Sequence, residues 1–538
     1  MTERADVVII GAGPVGLALA IELGMRGVRA TLVEENDRIA PQPRAKTTNV
    51  RSMEHMRRWG IAAALRASAP LPADYPTDVI FTTRLFGHRL ARFENAFNGY
   101  RVRDERYSEP AQWVPQFKVE AALRRRALSL PGVTLHAATR FLSLVETPAG
   151  VSAEVEDIAS GARRQIAASY LVGADGARSQ VRRVLDIAMQ GRHAFGFNLN
   201  YVIRVPGLRQ FGALDPAIMY WLVNQDSPAA TGPMDQDDVW FYGFLRGKDE
   251  PPPDDAAVKA RIRRSFGRDV DVEILVTDAW AAHSLIAERY GTARVHLAGD
   301  ACHLHPPFGG YGMNLGLGDS VDLGWKLAAM VQGWGGAALL DSYAAERRPV
   351  HRRVIDEAVA NYALLSDHLA RPEIEQDGAA GAAVRRALGD AILTGKAREF
   401  HTLGVVLGAQ YSGSPIVVPD GSAAPPEHTS DYVPSAHPGC LAPHLWLADG
   451  SSLYDGFGLG FTLLATPAAA AASVAALAGA AQAAGLPLTV LRPEDGRIAA
   501  LYQAALTLIR PDQHVAWRGD AAGADAAGII ARVRGAAP

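Results

Sequence analysis

One short stretch constrains the fold more than any other. Residues 5–35 run from an apolar segment of four residues, Val7 to Ile10, into Gly11-Ala-Gly13-Pro14-Val-Gly16, then through apolar positions at helical spacing to Met25, and then into Ala30-Thr-Leu-Val-Glu34. Strand, Gly-rich turn, helix and strand in that order make a complete βαβ unit. The turn has a chemical meaning in this context: Gly11 permits the tight turn, Gly13 lets backbone approach a pyrophosphate, and Gly16 lets the helix pack against the strand. The N-terminus of the helix then faces the anion with free N–H groups and a positive dipole end. Glu34, closing the second strand, accepts the ribose hydroxyls of an adenosine and disfavours a 2′-phosphate there. A chance cluster of turn glycines is the alternative, but strand, helix and terminal acid all fall in place, which leaves FAD or NAD as the ligand.

The rest of the 538 residues offers room for two to four domains at about 150 residues each. From about 76 to 110, and again from about 191 to 285, short aromatic and β-branched runs separated by Pro, Gly and Asp predict antiparallel strands of a second domain inserted into the first. Helical periodicity returns at Ser320 to Gln332 and at Leu339 to Leu365, the latter with Glu346, Arg347 and Arg348 expected on a solvated face. Residues 366–444 are Ala/Gly-rich and then Pro-rich, which reads as a linker wrapping a surface. The remainder, 445–538, alternates strand-like runs with an Ala-rich helix near Ala468 to Ala484 and predicts a small α/β domain. The expected first domain is therefore discontinuous, over 1–75, 111–190 and 286–365, with the inserted domain at 76–110 and 191–285.

Composition excludes several classes. Lys and Arg number 54 against 57 Asp and Glu, a net charge of −3 spread along the chain, which argues against nucleic acid as a partner. Cys302 and Cys440 provide neither a disulfide framework nor the paired spacing of a structural zinc site, and fit a reducing cytoplasm. The apolar run after the first residues is too short for an export signal, and the longest apolar stretch is mostly alanine, so no membrane association is expected.

Two further motifs repeat the logic of the first. Tyr170-Leu-Val-Gly-Ala-Asp175-Gly176 is a strand ending in an acid before a helix, where an ordinary Asp cap is the bland alternative. Ala293-Arg-Val-His-Leu-Ala-Gly299-Asp300-Ala-Cys302-His303 leads into Pro306-Pro307-Phe-Gly309-Gly310-Tyr-Gly312-Met313-Asn314, a strand, an acid and a Gly-rich loop feeding a helix. Asp300 is placed to bond a ribityl hydroxyl, and the backbone N–H groups of Gly310 to Asn314 to surround the polar edge of an isoalloxazine.

In order and spacing these three motifs resemble the class A flavoprotein aromatic hydroxylases, strongly over residues 5–360 and most closely in the phenol and chlorophenol hydroxylase branch. Pro43-Arg44-Ala45, Asn49-Val-Arg51-Ser-Met-Glu54, Pro115-Gln116-Phe-Lys-Val-Glu120 and Asp319-Ser-Val-Asp-Leu-Gly-Trp325-Lys326 add to the likeness. Gly408 to Pro415, Pro443-His444-Leu-Trp446 and Arg510-Pro511-Asp512 resemble that branch's C-terminal appendage, a thioredoxin-like domain here without redox cysteines. The fold implied is α/β: a Rossmann-like FAD-binding domain, an inserted antiparallel β-sheet substrate domain and a thioredoxin-like C-terminal domain. The resemblance implies FAD held by Gly11, Gly13, Gly16, Glu34, Arg44, Gln116 and Asp300, with Asp175 serving FAD and the reductant, and Pro307 in the catalytic loop. The reductant is NADPH or NADH, O2 is the co-substrate, a C4a-hydroperoxide of the flavin is the oxygenating species, and a homodimer is expected.

An electrophilic oxygen donor needs an electron-rich ring, and ionising a phenol near pKa 10 supplies one. Some relatives carry His or Asp just after Pro-Arg-Ala; this chain has Lys46, which serves either as a base with a lowered pKa or as a cation facing the phenolate, against the alternative of a solvent-facing lysine. His303 and His305 beside Cys302 invite a metal reading, set aside because the Pro-Pro that follows belongs to the flavin loop. For the pocket lining, Tyr201, Tyr220, Trp221, Trp240 and Tyr242 come from the inserted β region; an aromatic stripe is more often core than substrate wall, and of these Tyr201, Tyr220 and Tyr242 are kept as the substrate wall. The expected activity is hydroxylation of a small phenolic aromatic; the alternatives are a tailoring oxygenase of polycyclic aromatic metabolites and, remotely, a flavin-fold binding protein without catalysis.

Overall fold

The computed structural model describes residues 3–37, 45–212, 214–363, 369–522 and 525–536. Its centre is a five-stranded parallel sheet with Val7–Ile10 in the middle, Ala30–Val33 and Val133–His136 on one side, and Tyr170–Gly173 and Val295–Leu297 on the other. Val7–Ile10, Ala30–Val33, Tyr170–Gly173 and Val295–Leu297 are buried throughout, as the unbroken apolar runs of a sheet covered on both faces require. Strand order reverses at Val7–Ile10, so a crevice opens where that strand and Tyr170–Gly173 end, the usual ligand position in such sheets. Helix Pro14–Gly24 rises from this crevice, and helix Gly312–Gln332 packs along it. A second sheet, Thr139–Thr147, Gly150–Asp157, Arg163–Ala168 and Glu3–Arg4, is appended to this domain.

The inserted domain is an eight-stranded sheet ordered His303–Leu304, Glu273–Ala287, Met189–Arg204, Val239–Arg246, Ala229–Pro233, Met219–Leu222, Val79–Thr82 and Arg89–Phe93. It is antiparallel except where Met219–Leu222 runs parallel to Val79–Thr82. The two faces carry separate cores. Leu199, Tyr201, Tyr220, Trp240 and Tyr242 pack with Val258, Ile262 and Phe266 of helix Asp255–Phe266, whereas Phe81, Trp221 and Phe241 pack on the opposite face with Trp113, Phe308 and Phe400.

Two expectations need correction. The stretch 366–444 is not a plain linker: Gly378–Phe400 is a 23-residue helix that packs on Arg89–Phe93 and buries Ile392, Lys396, Glu399 and Phe400. Its alanines are helix formers that composition alone reads as low complexity. Irregular chain of the kind expected there follows Leu403–Leu407. Nor is the face of helix Asp341–Ala363 that carries Glu346 and Arg347 solvated, since both side chains are buried.

What covers that face is the C-terminal domain, four strands in the order Leu488–Leu491, Phe461–Ala465, Leu506–Ile509, Val515–Gly519, the first pair parallel and the others antiparallel, with helices Ala471–Ala483 and Ala526–Val533. Arg510, in the turn after Leu506–Ile509, reaches Glu346 Oε1 (2.5 Å), Asp322 Oδ1 (3.0 Å) and Asp512 Oδ2 (2.6 Å). Lys326 Nζ completes the cluster on Asp322 (2.8 Å) and Glu346 (2.5 Å), and every member is buried. Burial opposes the charge on Glu346, but Arg510 and Lys326 outweigh it and hold the carboxyl at about 2. A carboxyl depressed by folding stabilises above its unfolded value and loses that contribution as pH falls through its folded value. Acid unfolding followed by tryptophan fluorescence is therefore expected to begin below the ordinary glutamate value of 4.5 and to be steep toward 2, and Glu346→Gln to flatten that limb. Among the described residues, no helix is long and apolar enough to cross a membrane.

Candidate active site

The crevice is shaped for a dinucleotide. Gly11 has φ +102°, and a Cβ there would lie 2.4 Å from Ala174 O, so the turn holds only glycine. A Cβ on Gly16 would lie 1.9 Å from Gly11 O, which brings the helix against the turn. Around Gly13 and Gly176 a Cβ would meet nothing within 4 Å, an open cradle beside the N-terminus of Pro14–Gly24. Glu34 stands at its rim: Oε2 accepts from Ala12 N (2.7 Å), and Oε1 from Asn36 N (2.9 Å) and Nδ2 (2.7 Å). Asp175 is engaged as a cap, its Oδ2 accepting from Gln180 N (2.7 Å) and Val181 N (3.0 Å), while Oδ1 is buried with no protein partner among the described residues. Burial raises its pKa. The open cradle at the helix N-terminus and the unsatisfied carboxylate oxygen fit the pyrophosphate and a hydroxyl of a bound FAD. Gly13→Ala is expected to fold with unchanged thermal stability, because its backbone is extended and the space is open, yet to purify with far less flavin, read from absorbance at about 450 nm against protein.

Arg44 lies outside the described residues. From Ala45 onward the chain is fixed by Gln116, whose backbone N donates to Ala45 O (2.8 Å) and whose Oε1 accepts from Ala45 N (3.2 Å); its Nε2 donates one hydrogen bond to Glu120 (2.7 Å). Gln116 thus acts on the loop beside the ring. Thr47–Thr48 pairs with Gln112–Trp113, and Asn314 clamps the same loop to the flavin-loop helix: its Oδ1 accepts from Asn49 N (2.9 Å), and its Nδ2 donates to Thr47 O (2.9 Å) and Gly310 O (2.6 Å). The Asn314 side chain is thus occupied by protein, and the expectation for this residue concerns its backbone N–H alone. The first backbone bond of helix Gly312–Gln332 is Leu315 N to Tyr311 O (2.8 Å), which leaves the N–H groups of Gly312, Met313 and Asn314 with no backbone acceptor among the described residues. Pro307 is exposed at the loop's tip and accepts from Gly310 N (3.3 Å). Asp300 is exposed in the turn Gly299–Ala301, and Gly299 N donates to Asp319 Oδ2 (3.0 Å).

Cys302, His303 and Asp319 bring three metal-ligating atoms within 4.8 Å of one another. The carboxylate of Asp319 is already engaged by Gly299 N, His303 Nε2 (3.0 Å), His351 Nε2 (2.8 Å) and Arg347 Nε (2.8 Å). The group braces the Gly299-Asp300 turn against two helices.

Lys46 enters the space between this crevice and the inserted sheet, its Nζ 4.2 Å from the centre of the Phe241 ring. Burial pulls its ammonium down to about 8. The tyrosines expected on the substrate wall are on the wrong face. Tyr201, Tyr220 and Tyr242 turn into the core under helix Asp255–Phe266, with Tyr242 Oη bonded to Ser265 Oγ (2.5 Å) and Tyr220 Oη to Asp215 O (2.6 Å). Side chains alternate along a strand, so their neighbours Trp221 and Phe241 look toward Lys46 instead. Trp113 sits 6.3 Å from Phe241, and Phe308 stacks 6.1 Å from Trp221, the two making an aromatic wall. Alternation in Tyr220-Trp221 and Phe241-Tyr242 separates the two sets; which set faces the crevice depends on where helix Asp255–Phe266 docks. The wall also includes Lys396, 5.6 Å from the Trp221 ring and 5.8 Å from Phe308, from the helix read as linker.

A dinucleotide cradle beside a buried aromatic cluster that holds a desolvated amine has the parts of a flavoprotein oxidoreductase of aromatic compounds. Residues 4–358 match the family described as FAD binding domain, and residues 435–537 that described as aromatic-ring hydroxylase, C-terminal. The FAD-dependent monooxygenase apdD of Emericella nidulans is 32% identical over 96% of this chain and 87% of its own. The tetracenomycin B2 monooxygenase-dioxygenase of Streptomyces olivaceus is 31% identical over 98% of each, and the 2,4-dichlorophenol 6-monooxygenase of Cupriavidus pinatubonensis 29% over 98% of this chain and 96% of its own. Among solved structures, the rebeccamycin biosynthetic enzyme RebC with reduced flavin superposes with a TM-score of 0.90 at 35% identity over the whole of both chains. The chain belongs to the FAD-dependent aromatic-ring hydroxylases, and is an NAD(P)H-linked, O2-dependent monooxygenase.

Proposed function

We propose that this chain hydroxylates a polycyclic aromatic metabolite rather than a simple phenol, which replaces the narrower expectation of the phenol and chlorophenol branch. The observation that carries it is the length of the aromatic wall. Phe241 and Trp221 belong to strands separated by one strand, Ala229–Pro233, which at about 4.8 Å per strand spaces the two rings by about 10 Å. Each ring has a lysine over it, Lys46 at one end and Lys396 at the other. One benzene ring is too short to touch both; three or four fused rings span them. The similarity to RebC and to the tetracenomycin enzyme supports the same reading.

Bound FAD supplies hydride acceptance from the nicotinamide and activation of O2. The chain's own part is to exclude water, to hold the ring flat against Trp221 and Phe241, and to take the proton from a ring hydroxyl at Lys46 Nζ, so that the ring is electron-rich when oxygen arrives. Gly11, Gly13, Pro14, Gly16, Glu34 and Asp175 are assigned to the adenosine and pyrophosphate, and Asp300 with the N–H groups of Gly312, Met313 and Asn314 to the ring end. The three-domain division expected from the sequence is retained, with Gly378–Phe400 moved to the substrate domain. The 2-1-3-4 strand order of the C-terminal domain supports a thioredoxin-like assignment.

The test is NADH and NADPH oxidation by the flavin-loaded enzyme with phenol, 2,4-dichlorophenol, 2-naphthol and 2-hydroxyanthraquinone, with product mass. Stimulation and a one-oxygen gain confined to the multi-ring compounds are expected. Stimulation and hydroxylation with the single-ring phenols alone would overturn the reading.

A further inference from the structure

The far end of the aromatic wall is chemically unlike the Lys46 end. Lys396 and Glu399 on helix Gly378–Phe400 form a buried pair, Nζ to Oε2 3.0 Å, and Lys396 Nζ also donates to the carbonyl of Asn361 (3.2 Å) on helix Asp341–Ala363. Relative exposures are 2% for Lys396, 3% for Glu399 and 0% for Asn361. Around them several polar atoms have no protein partner among the described residues. Both side-chain atoms of Asn361, Nδ2 and Oδ1, are buried and unpaired, and so is the indole Nε1 of Trp221, whose ring lies against Lys396. Nearly all buried polar groups in a finished fold are paired. An amide with neither end satisfied, on the residue whose carbonyl holds Lys396, an unsatisfied N–H on the indole that lies against Lys396, and an ammonium with two of its three protons accounted for mark a place where another molecule supplies the partners.

The inventory of groups defines that molecule's chemistry. The Lys396 ammonium, Asn361 Nδ2 and Trp221 Nε1 donate; Asn361 Oδ1 accepts. A carboxylate is disfavoured, because Lys396 and Glu399 already neutralise each other and a further anion would be buried without compensation. A neutral oxygen acceptor with a donor nearby satisfies the set. The geometry points to Asn361 and Lys396 as specificity-determining residues that bind a ring carbonyl, with a neighbouring hydroxyl or amide N–H, at the end of the substrate remote from the carbon that is hydroxylated. This deepens the polycyclic reading and rests on it. Its consequence is discrimination: a site built to hydrogen-bond an oxygen rejects the analogue that lacks it, since the buried groups are then left unpaired.

The test compares binding of two probes to the FAD-loaded enzyme by equilibrium dialysis: 2-hydroxyanthraquinone, which carries ring carbonyls, and 2-hydroxyanthracene, which does not. The wild-type enzyme is expected to prefer the quinone by about tenfold or more. Asn361→Leu, which removes only the unpartnered amide, should bring the two affinities to within about threefold of each other while leaving 2-hydroxyanthracene binding and flavin content unchanged. The double variant Lys396→Met with Glu399→Gln removes the pair without stranding a charge, and should act in the same direction. Both probes binding the wild-type enzyme equally, or a variant that leaves the preference intact or weakens both probes alike, would overturn the assignment while the polycyclic reading stands. Binding of neither probe would overturn both.

Discussion

Replacing Lys46 by Met is expected to lower coupled hydroxylation by about 10²- to 10⁴-fold, the usual contribution of a positioned base, while flavin content stays near wild type. The expectation rests on where the amine stands. Its Nζ lies over Phe241, and burial pulls its pKa down to about 8. The neutral amine can take a phenolic proton; the ammonium cannot. In kcat/KM for product formation, the wild-type rate should therefore rise by about tenfold per pH unit below 8 and level off above it. A lysine acting only as a cation gives the opposite sign, a rate that falls as pH passes 8. Lys46→Arg separates the two directly: a guanidinium keeps the charge and does not ionise in this range, so it should rescue a cationic role and fail to rescue a base. Peroxide formation measured alongside product shows whether the variants still reduce flavin and consume O2 without transferring oxygen.

The second large effect concerns Arg510. Arg510→Met removes one cation from a buried cluster of three carboxylates and leaves Lys326 to face Asp322, Glu346 and Asp512. Breaking a buried pair by deleting one partner costs about 3–5 kcal/mol, because the remaining charge stays buried and uncompensated. The loss should appear as a marked drop in thermal midpoint, and as early protease cleavage in the irregular chain before Phe461, since Arg510 reaches from the C-terminal domain to the helices carrying Asp322 and Glu346. Helix Gly312–Gln332 also carries the flavin-loop N–H groups, so weakened flavin retention should accompany the fall. Asp322→Asn in the Arg510→Met background should recover part of the stability. Midpoints of single and double variants that simply add would show that the pair does not interact.

The flavin cradle was legible in the chain because it is local. Gly11, Gly13, Gly16 and Glu34 lie within 24 consecutive residues whose strand–turn–helix–strand order allows one arrangement of the backbone. The substrate wall was not, because its residues converge from segments hundreds of positions apart. Trp113, Trp221, Phe241, Phe308 and Phe400 share one core only after the inserted sheet folds over the loop helix. The choice of Tyr201, Tyr220 and Tyr242 shows the point: alternation divides a strand into two faces, but nothing in the strand says which face meets the cofactor domain. Glu346 makes the same case for helix Asp341–Ala363, since a charge that reads as solvated is buried once a domain some 160 residues further on supplies Arg510, while Arg347 is buried against Asp319 of helix Gly312–Gln332. Local backbone chemistry therefore determined what is bound, and docking between domains decided which side chains surround the substrate, because burial and charge pairing are properties of neighbours in space and not of neighbours in the chain.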